Sequence, residues 1–349
     1  PAGRMFPSFA KFLDARPDDR PFVYWFGSHN PHQPWTAKNE HYAGLDKNNI
    51  QLPAYLPDHP EVRQAVLNYY AEVQAFDAEI TDLLDELDRR GLADNTLVIA
   101  MGDNGWQTPR GLANIYDAGT RTPMAIRWPG KIAPGSQCDQ FISFEDLAPT
   151  LLEAAGLKPD RMMTGKSLMP LLSGKQNPAW RDAIFLERER HANVRAGDGS
   201  YPCRAIRTKD WLYVWNLEPD RWPAGDPTIH HAVGAFGDVD NTPYKTLILS
   251  ERDKPEMKPF FELGFAKRPA DELYDLKKDP DQVKNVAGDP ANAERIEKFR
   301  ERVLAWMKKT SDPRMKAPRT PVFDQYKYFG SRPKPSRLEP RKAYVPDLK

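Results

Sequence analysis

The sequence predicts an α/β fold, with a mostly parallel sheet between helices followed by a small antiparallel sheet carrying one packed helix. A short apolar strand at residues 97–101 ends in polar residues, and a long amphipathic helix precedes it at 62–87. After about residue 175 the pattern changes to closely spaced short strands. We therefore expect three parts, residues 1–175, 176–312 and a Pro- and basic-rich tail at 313–349.

Composition limits the classes of function. The 349 residues contain 50 Lys plus Arg and 49 Asp plus Glu, a net charge of +1 that favours neither nucleic-acid binding nor a membrane surface. No apolar run is long enough to span a bilayer, and two cysteines make no disulfide framework. The N-terminus has neither an initiator Met nor a signal-peptide core, so we expect an internal piece of a longer protein.

The first part alternates helices and strands. A short helix at 8–15 precedes a strand at 21–26, and a Pro-rich loop then runs to about residue 60. The long helix follows, with Arg89, Arg90 and Gly91 as its stop signal. Its apolar stripe consists of Val62, Val66, Tyr69, Val73, Phe76, Ile80, Leu83 and Leu87.

Further strands and helices complete both parts. A strand at 124–128 and a helix at 144–155 extend the β/α alternation, which predicts a parallel sheet. In the second part, strands at 205–207 and 211–215 form a hairpin around Lys209-Asp210. A strand at 272–276 and a helix at about 291–309 follow.

Asp103 and Asn104 are the most informative residues. They follow the apolar strand directly and precede Gly105. In open α/β sheets, ligands bind outside the carboxyl ends of strands, and a carboxylate beside a carboxamide suits a hard cation. The alternative is an ordinary Asp-Asn-Gly turn, since these residues favour tight turns.

Three segments together resemble the formylglycine-dependent sulfatases of the alkaline-phosphatase-like superfamily. They are Gly102-Asp103-Asn104-Gly105, the stretch from Pro109 to Pro123, and Glu272-Leu273-Tyr274-Asp275-Leu276 with Asp279-Pro280. Within the family the likeness is nearest to the sulfamidases. Phe22 to His32 resembles their strand ending in His-Asp-Pro-His, with Asn30 at the Asp position. Ser200-Tyr201-Pro202, Arg204 and Trp215-Asn216-Leu217 resemble their C-terminal region.

This resemblance implies that the chain is the C-terminal portion of a sulfatase catalytic domain. The family's nucleophile is a Cys or Ser oxidised to formylglycine in an N-terminal motif that this chain lacks, so an N-terminal segment of the same protein is an expected partner. Cys203 to Arg207 matches that motif only loosely. We do not assign Cys203 as the nucleophile, because Ile206 replaces the usual Ser and the segment lies far C-terminal.

The resemblance also implies roles for individual residues. Asp103 and Asn104 correspond to metal ligands, with Ca²⁺ expected and Mg²⁺ as the second choice. His29 corresponds to a catalytic His that can protonate the leaving group. His32, Arg110 and His191 are candidates for substrate binding, although His32 also suits a backbone-capped loop and His191 a solvated charged face. Leu112 stands where many relatives carry Lys or Arg, and Arg110 could supply that charge.

The implied function is hydrolysis of sulfate esters or sulfamates on a sulfated sugar. Two alternatives remain open: a phosphoesterase or phosphonate hydrolase of the same superfamily, and a non-catalytic protein that binds sulfated glycans. The family implies a periplasmic or secreted protein, or a lysosomal one in an animal. The sugar, the choice between O- and N-sulfate and the formation of a homo-oligomer are left undecided.

Overall fold

The computed structural model describes residues 4–17, 20–174, 180–228 and 234–325. Its helices are α1 (Phe9–Asp14), α2 (Pro60–Arg89), α3 (Asp117–Thr120), α4 (Leu147–Ala154), α5 (Met169–Leu172), α6 (Pro243–Glu251), α7 (Lys258–Gly264) and α8 (Ala293–Lys309). Its strands are β1 (Val98–Met101), β2 (Met124–Arg127), β3 (Ala183–Arg188), β4 (Cys203–Thr208), β5 (Trp211–Asn216) and β6 (Asp271–Asp275). This content confirms the predicted α/β class.

Helix α2 is the predicted amphipathic helix. Pro60 lies in its first turn, where a missing N–H is tolerated, and the His59 side chain accepts a hydrogen bond from the Glu61 N–H. Gly91 follows the last turn with a φ of +65°, which glycine adopts without a Cβ clash. Val62 and Val66 of the stripe pack into the largest apolar cluster, together with residues of α6 and α7, whereas Leu87 packs with α1.

The long Pro-rich loop that precedes α2 is irregular, as predicted. Two short 3₁₀ turns, Asn39–Tyr42 and Lys47–Asn49, are its only regular elements within the described ranges. Ile50, Tyr55 and Leu56 are buried in the same apolar cluster as α2. The loop is therefore fixed by its own apolar side chains.

The sheet of the first part differs from the prediction in the direction of its strands. β1 and β2 pair antiparallel, with Val98 opposite Arg127 and Met101 opposite Met124. No parallel pair occurs among the described residues. The alternation of strands and helices predicted the class correctly, but strand direction depends on which strands become neighbours.

The segment at residues 21–26, predicted as a strand, pairs with no other strand among the described residues. Its side chains nevertheless alternate as in a strand. Phe22 and Tyr24 pack against Phe12, with ring centroids 5.7 and 5.0 Å apart, whereas Val23 and Trp25 are 87% and 89% exposed. One face of this segment is thus packed against α1 and partly buried, and the other is exposed.

Exposed large apolar side chains are concentrated in the first part of the chain. Among the described residues they are Met5, Val23, Trp25, Phe26, Val73, Phe144, Leu151, Leu157, Met162 and Met163. None of them lies in the described residues after 163. Large apolar side chains are therefore exposed in the described residues of the first part and not in those of the second.

The second part is the predicted antiparallel sheet with a packed helix. Its strand order is β3-β4-β5-β6, and all neighbouring strands are antiparallel. Phe299, Val303 and Met307 of α8 pack on Ile206 and Tyr213 of the hairpin. The 3.6-residue period of these apolar positions explains why one face of α8 meets the sheet.

The beginning of the predicted tail is anchored in the second part. Asp312, the residue just before the tail, accepts a 2.6 Å hydrogen bond from buried Arg204, and Arg314 of the tail, only 1% exposed, pairs with Glu189 at 2.6 Å. Residues 326–349 of the predicted tail lie outside the described residues. In the part of the chain that the structure describes, no helix has the length and apolarity needed to cross a bilayer.

Candidate active site

The loop after β1 presents Asp103 and Asn104 to solvent. The Gly105 N–H donates to the Gly119 carbonyl oxygen at 3.0 Å, and a Cβ at position 105 would overlap the carbonyl oxygen of Ala118. The backbone is therefore tightly packed at this point. Both side chains are exposed, and neither makes a hydrogen bond or ion pair with another described residue.

The chemistry of this pair fits a hard cation. A carboxylate and a carboxamide oxygen at a strand end, without partners among the described residues, are ligands of the kind that Ca²⁺ and Mg²⁺ take. Within the described ranges, no group of three or more His, Cys, Asp or Glu side chains is arranged to hold a metal. Ca²⁺ takes roughly six to eight oxygens, so Asp103 and Asn104 would form only one side of its coordination shell.

His29 lies in a loop that is held by one carboxylate of α2. The Ser28 hydroxyl donates to Glu79 at 2.5 Å, and the Asn30 side-chain amide donates to the other oxygen of Glu79 at 3.3 Å. The Asn30 N–H also donates to the Ser28 hydroxyl oxygen at 2.9 Å. The residues on both sides of His29 are thus fixed, while its imidazole is exposed.

His32 follows in the same loop and forms a turn with His29. Its N–H donates to the His29 carbonyl oxygen at 2.8 Å, and its Nδ1 lies 2.6 Å from the Gln33 carbonyl oxygen. The ring is exposed at the surface. A second carboxylate of α2, on Glu72, accepts from the Ala37 N–H at 2.6 Å and holds the end of this loop.

Gln107 joins the His29 loop to the loop that carries Asp103 and Asn104. Its side-chain oxygen accepts from the Gln33 N–H at 3.2 Å, and its amide nitrogen donates to Asp240 at 2.5 Å. The Tyr244 hydroxyl donates to the Gln107 carbonyl oxygen at 2.5 Å. The structure therefore brings the predicted catalytic His and the predicted metal ligands to neighbouring loops.

Trp35 and Trp106, which lie close in sequence to His32 and Asn104, pack against the protein. Trp106 stacks on Tyr69 with ring centroids 4.8 Å apart, and Trp35 meets Tyr69 edge-on at 6.2 Å. The Trp35 indole N–H donates to the Pro31 carbonyl oxygen at 3.2 Å. Both tryptophans support the loops between which the site lies.

Arg110 faces the interior of the protein. It has a φ of +69°, is 2% exposed and donates hydrogen bonds to the carbonyl oxygens of Leu263 and Gln282. Its guanidinium carbon lies 3.7 Å from the centre of the Tyr116 ring. In this conformation the Arg110 side chain stabilises the loop. Its guanidinium does not supply the positive charge that a Lys or Arg would carry at the position of Leu112.

His191 lies at a separate cavity of about 300 Å³ between the loop that follows β1 and the end of β3. Asn114 and Thr120 line one wall of this cavity, and Arg188 and His191 line the other. Thr120 directly follows Gly119, whose carbonyl oxygen anchors the Asp103–Asn104 turn. One wall of the cavity therefore belongs to the segment that also anchors the turn of the candidate metal ligands.

A buried carboxylate supports the His191 side of the cavity. Asp238 lies 2.7 Å from Arg188, 2.6 Å from Arg195 and 3.4 Å from Nδ1 of His191. Burial acts to raise the pKa of Asp238, but the positive charges of the two arginines and the contact with His191 outweigh it and hold this pKa well below its usual range. Asp238 is therefore ionised at neutral pH.

Sequence reasoning missed three residues that organise the site: Glu79, Gln107 and Asp238. Glu79 had a signal, because it lies seven residues after Glu72 on one face of a predicted helix and both carboxylates face the same loop. No sequence pattern pointed to Gln107 or Asp238, since the residues that they contact are distant in sequence. Only the path of the chain brings them together.

Two family models match this chain. The sulfatase model matches residues 2–157, and the model for the C-terminal region of N-sulphoglucosamine sulphohydrolase matches residues 102–226. Together they span residues 2–226 of 349. The two matches overlap at residues 102–157, which include the Asp103–Asn104 turn and the Arg110 loop, and the second match continues through β3, β4 and β5.

Two curated relatives are similar along most of the chain. An ulvan-active sulfatase of Formosa agariphila is 28% identical over 293 residues, which cover 82% of this chain and 45% of that protein. Human N-sulphoglucosamine sulphohydrolase is 27% identical over 344 residues, covering 88% of this chain and 64% of the human protein. This chain thus spans about half to two thirds of the length of these relatives.

The fold agrees with these matches. A solved structure from Bacteroides thetaiotaomicron, described under the metabolism of multiple glycosaminoglycans, superposes with a TM-score of 0.64 at 19% identity, over 91% of this chain and 60% of the other. At this identity the likeness shows the fold alone. The two family models and the curated relatives together support a sulfatase of the alkaline-phosphatase-like superfamily, close to its sulfamidase-like members.

Proposed function

We propose that this chain forms the metal- and sugar-binding side of a sulfatase that removes sulfate, as an ester or a sulfamate, from a sulfated sugar. The observation that carries the proposal is the junction at Gln107. It holds the His29 loop beside the loop on which Asp103 and Asn104 are exposed and free of described protein partners. A cation site next to a proton donor is what cleavage of a sulfate group requires.

Each residue has a separate task. Asp103 and Asn104 hold one side of a cation, Ca²⁺ by preference, which would neutralise charge on the sulfate oxygens. A formylglycine outside this chain would supply the attacking oxygen. His29, held between Ser28 and Asn30 by Glu79, donates a proton to the leaving oxygen or nitrogen. His32 and His191 contact the substrate from the same loop and from the cavity.

The nucleophile-bearing segment docks on the open face of the first part. Val23 and Trp25 project from an extended segment whose opposite face is packed, and β1 is only half-buried. An exposed apolar face of this kind marks an interaction surface. We assign it to the N-terminal segment of the same protein, which would add strands beside residues 21–26.

The relatives support a sulfated saccharide as the substrate. One is named for activity on ulvan and the other for N-sulphoglucosamine. We therefore propose a sulfated amino sugar as the first compound to assay, and a periplasmic or secreted protein, or a lysosomal one in an animal. Arg110 keeps a supporting role in this proposal because its guanidinium is buried.

Because Asp103 and Asn104 form only one side of the coordination shell, metal binding is tested by calorimetry with Ca²⁺ on Asp103→Ala and Asn104→Ala in a polypeptide that includes the nucleophile-bearing segment. The chain contains a matched control, since Asp94 and Asn95 form an exposed Asp-Asn pair just before β1, at its opposite end. Asp94→Ala and Asn95→Ala should bind Ca²⁺ as the unmodified protein does. Equal loss of Ca²⁺ binding in both pairs would contradict the assignment.

Activity is tested on a polypeptide that includes both this chain and the nucleophile-bearing segment. We expect sulfate release from N-sulphoglucosamine, and a fall in kcat/KM of about 100-fold or more in Asp103→Ala but not in Asp94→Ala. His29→Gln should lower kcat by about 100-fold or more on this substrate, and by much less on an aryl sulfate whose leaving group needs no proton. Preferential cleavage of a phosphonate monoester would favour the phosphonate hydrolase alternative.

A further inference from the structure

Asp238 is a fully buried carboxylate with two unequal oxygens. One oxygen, Oδ2, accepts hydrogen bonds from Arg188 at 2.7 Å and from Arg195 at 2.6 Å. Both guanidinium groups also donate to the carbonyl oxygen of Pro223, at 2.8 and 2.7 Å. The second oxygen, Oδ1, lies 3.4 Å from Nδ1 of His191.

Both arginines are buried, although Arg188 also lines the cavity. Arg188 is 7% exposed and Arg195 is 3% exposed. His191 is different, since 41% of its side chain is exposed and it lines the 300 Å³ cavity. Nδ1 is the ring nitrogen beside Oδ1 of Asp238, a buried oxygen that makes no hydrogen bond of ordinary geometry among the described residues, and Nε2 is the ring nitrogen left for a ligand in the cavity.

We propose that Asp238 is a positioning residue, which fixes His191 as the Nδ1–H tautomer and presents Nε2 to the cavity as an acceptor for a sugar hydroxyl. This inference rests on the proposed function. A carboxylate opposite one ring nitrogen selects the tautomer and the orientation of a histidine. Arg188 and Arg195 prevent Asp238 from turning, because they hold Oδ2 from two directions.

The first test is the tautomer of His191, read from the imidazole ¹⁵N chemical shifts of the unmodified protein at pH 8.5. The His191→Gln spectrum identifies its signals among the seven histidines. We expect a protonated Nδ1 and an unprotonated Nε2. A predominant Nε2–H tautomer would overturn the inference, and this measurement needs no variant of the buried cluster.

The second test is equilibrium binding of N-sulphoglucosamine and, separately, inorganic sulfate to the polypeptide used for the activity assay. His191→Phe should weaken N-sulphoglucosamine binding about 10-fold or more and leave sulfate binding unchanged. His191→Gln, whose amide can reach the position of Nε2, should restore part of the loss. Undiminished sugar binding by His191→Phe would overturn the inference.

Asp238 itself is tested by Asp238→Asn, which should shift His191 toward the Nε2–H tautomer and weaken sugar binding in the same way. Asp238→Asn leaves two buried guanidinium groups with no counter-charge, which destabilises the fold. The double variant Asp238→Asn with Arg195→Gln removes one of these charges and is the folded alternative, with the same expected shift of the His191 tautomer. An unchanged tautomer in the double variant would overturn the inference. Failure of the unmodified protein to bind sugar or sulfate would overturn the proposed function and the sugar contact with it, whatever the tautomer.

Discussion

The hydroxyl of Tyr116 donates a 2.7 Å hydrogen bond to the carboxylate of Glu272 across 156 residues of sequence. Tyr274 donates to the same oxygen at 2.6 Å, and the Asn216 amide donates to the other oxygen at 2.7 Å. Glu272 therefore joins the loop that follows Asp103 to β5 and β6. Two of the three segments that resemble sulfatases meet at this carboxylate.

Removing the Tyr116 hydroxyl should destabilise the protein measurably. Burial is the main reason that the pKa of Tyr116 is raised to about 12, so its hydroxyl is a neutral donor at any ordinary pH. Tyr116→Phe should lower the free energy of unfolding by about 1.5–3 kcal/mol, because the hydrogen bond to a buried charge is lost. Urea unfolding measures this, with Tyr42→Phe as control, since the Tyr42 hydroxyl bonds Asn68 near the surface at 3.2 Å. Equal effects of the two substitutions would contradict the role of Glu272.

Glu79→Ala should release the His29 loop. The substitution removes the common acceptor of Ser28 and Asn30, so the amides around His29 should exchange hydrogen about 10-fold faster. Hydrogen-exchange mass spectrometry of the peptide that contains His29 measures the change. Asp85→Ala, at an exposed position of the same helix, is the control and should leave that peptide unchanged.

Lys245 should make stability rise with pH in an alkaline window. Its ammonium group is buried, donates to the Phe236 and Val239 carbonyl oxygens at 3.1 and 2.5 Å, and has its pKa lowered by burial to about 8. Between that value and the unfolded value of 10.5, the unfolded chain holds a proton that the folded protein has lost. The free energy of unfolding should therefore increase with pH across this window, by up to about 3 kcal/mol.

The Lys245 effect is isolated by comparing urea unfolding of the unmodified protein and Lys245→Met between pH 7 and 10.5. The free energy of unfolding of the unmodified protein should rise with pH relative to that of Lys245→Met, because the Met variant lacks the titrating ammonium group. Lys258→Met, at a side chain that is 65% exposed, is the matched control and should follow the unmodified protein. Parallel pH dependence of all three proteins would refute the prediction.

Trp25 and Phe22 lie on opposite faces of one extended segment and should respond differently to Asp. Trp25→Asp should change the free energy of unfolding of this chain by less than about 0.5 kcal/mol, because the side chain is 89% exposed. Phe22→Asp should cost roughly 2–4 kcal/mol, because Phe22 packs on Phe9 and Phe12. Thermal unfolding of the chain compares the two.

The same Trp25→Asp substitution should disrupt docking of the nucleophile-bearing segment. Co-purification of that segment with this chain, when the two are expressed as separate polypeptides, measures the association. We expect the unmodified chain to retain the segment and the Trp25→Asp chain to lose it. Undiminished retention would place the docking face elsewhere.

Local pattern predicted most elements of this fold. The apolar period of α2, its terminating Gly91 and the hairpin of β4 and β5 were all readable, because each depends on residues within a few positions of one another. The pairing of β1 with β2 was not, since it depends on which segments become neighbours. Residues 21–26 show the same limit, because the side-chain alternation is present without a paired strand.

The sequence by itself determined the elements, the family resemblance and the exposed Asp103–Asn104 pair at a strand end, because these depend on residue type and local order. The tertiary structure decided which side chains serve the site and which support it. Arg110 has the charge of a sulfate ligand, but its φ of +69° and the carbonyl groups of Leu263 and Gln282 turn it inward. No sequence pattern points to Asp238. Its proposed role as a positioning residue arises because the path of the chain places its carboxylate next to His191. Contacts of this kind depend on the three-dimensional path of the backbone, which residue types alone do not specify.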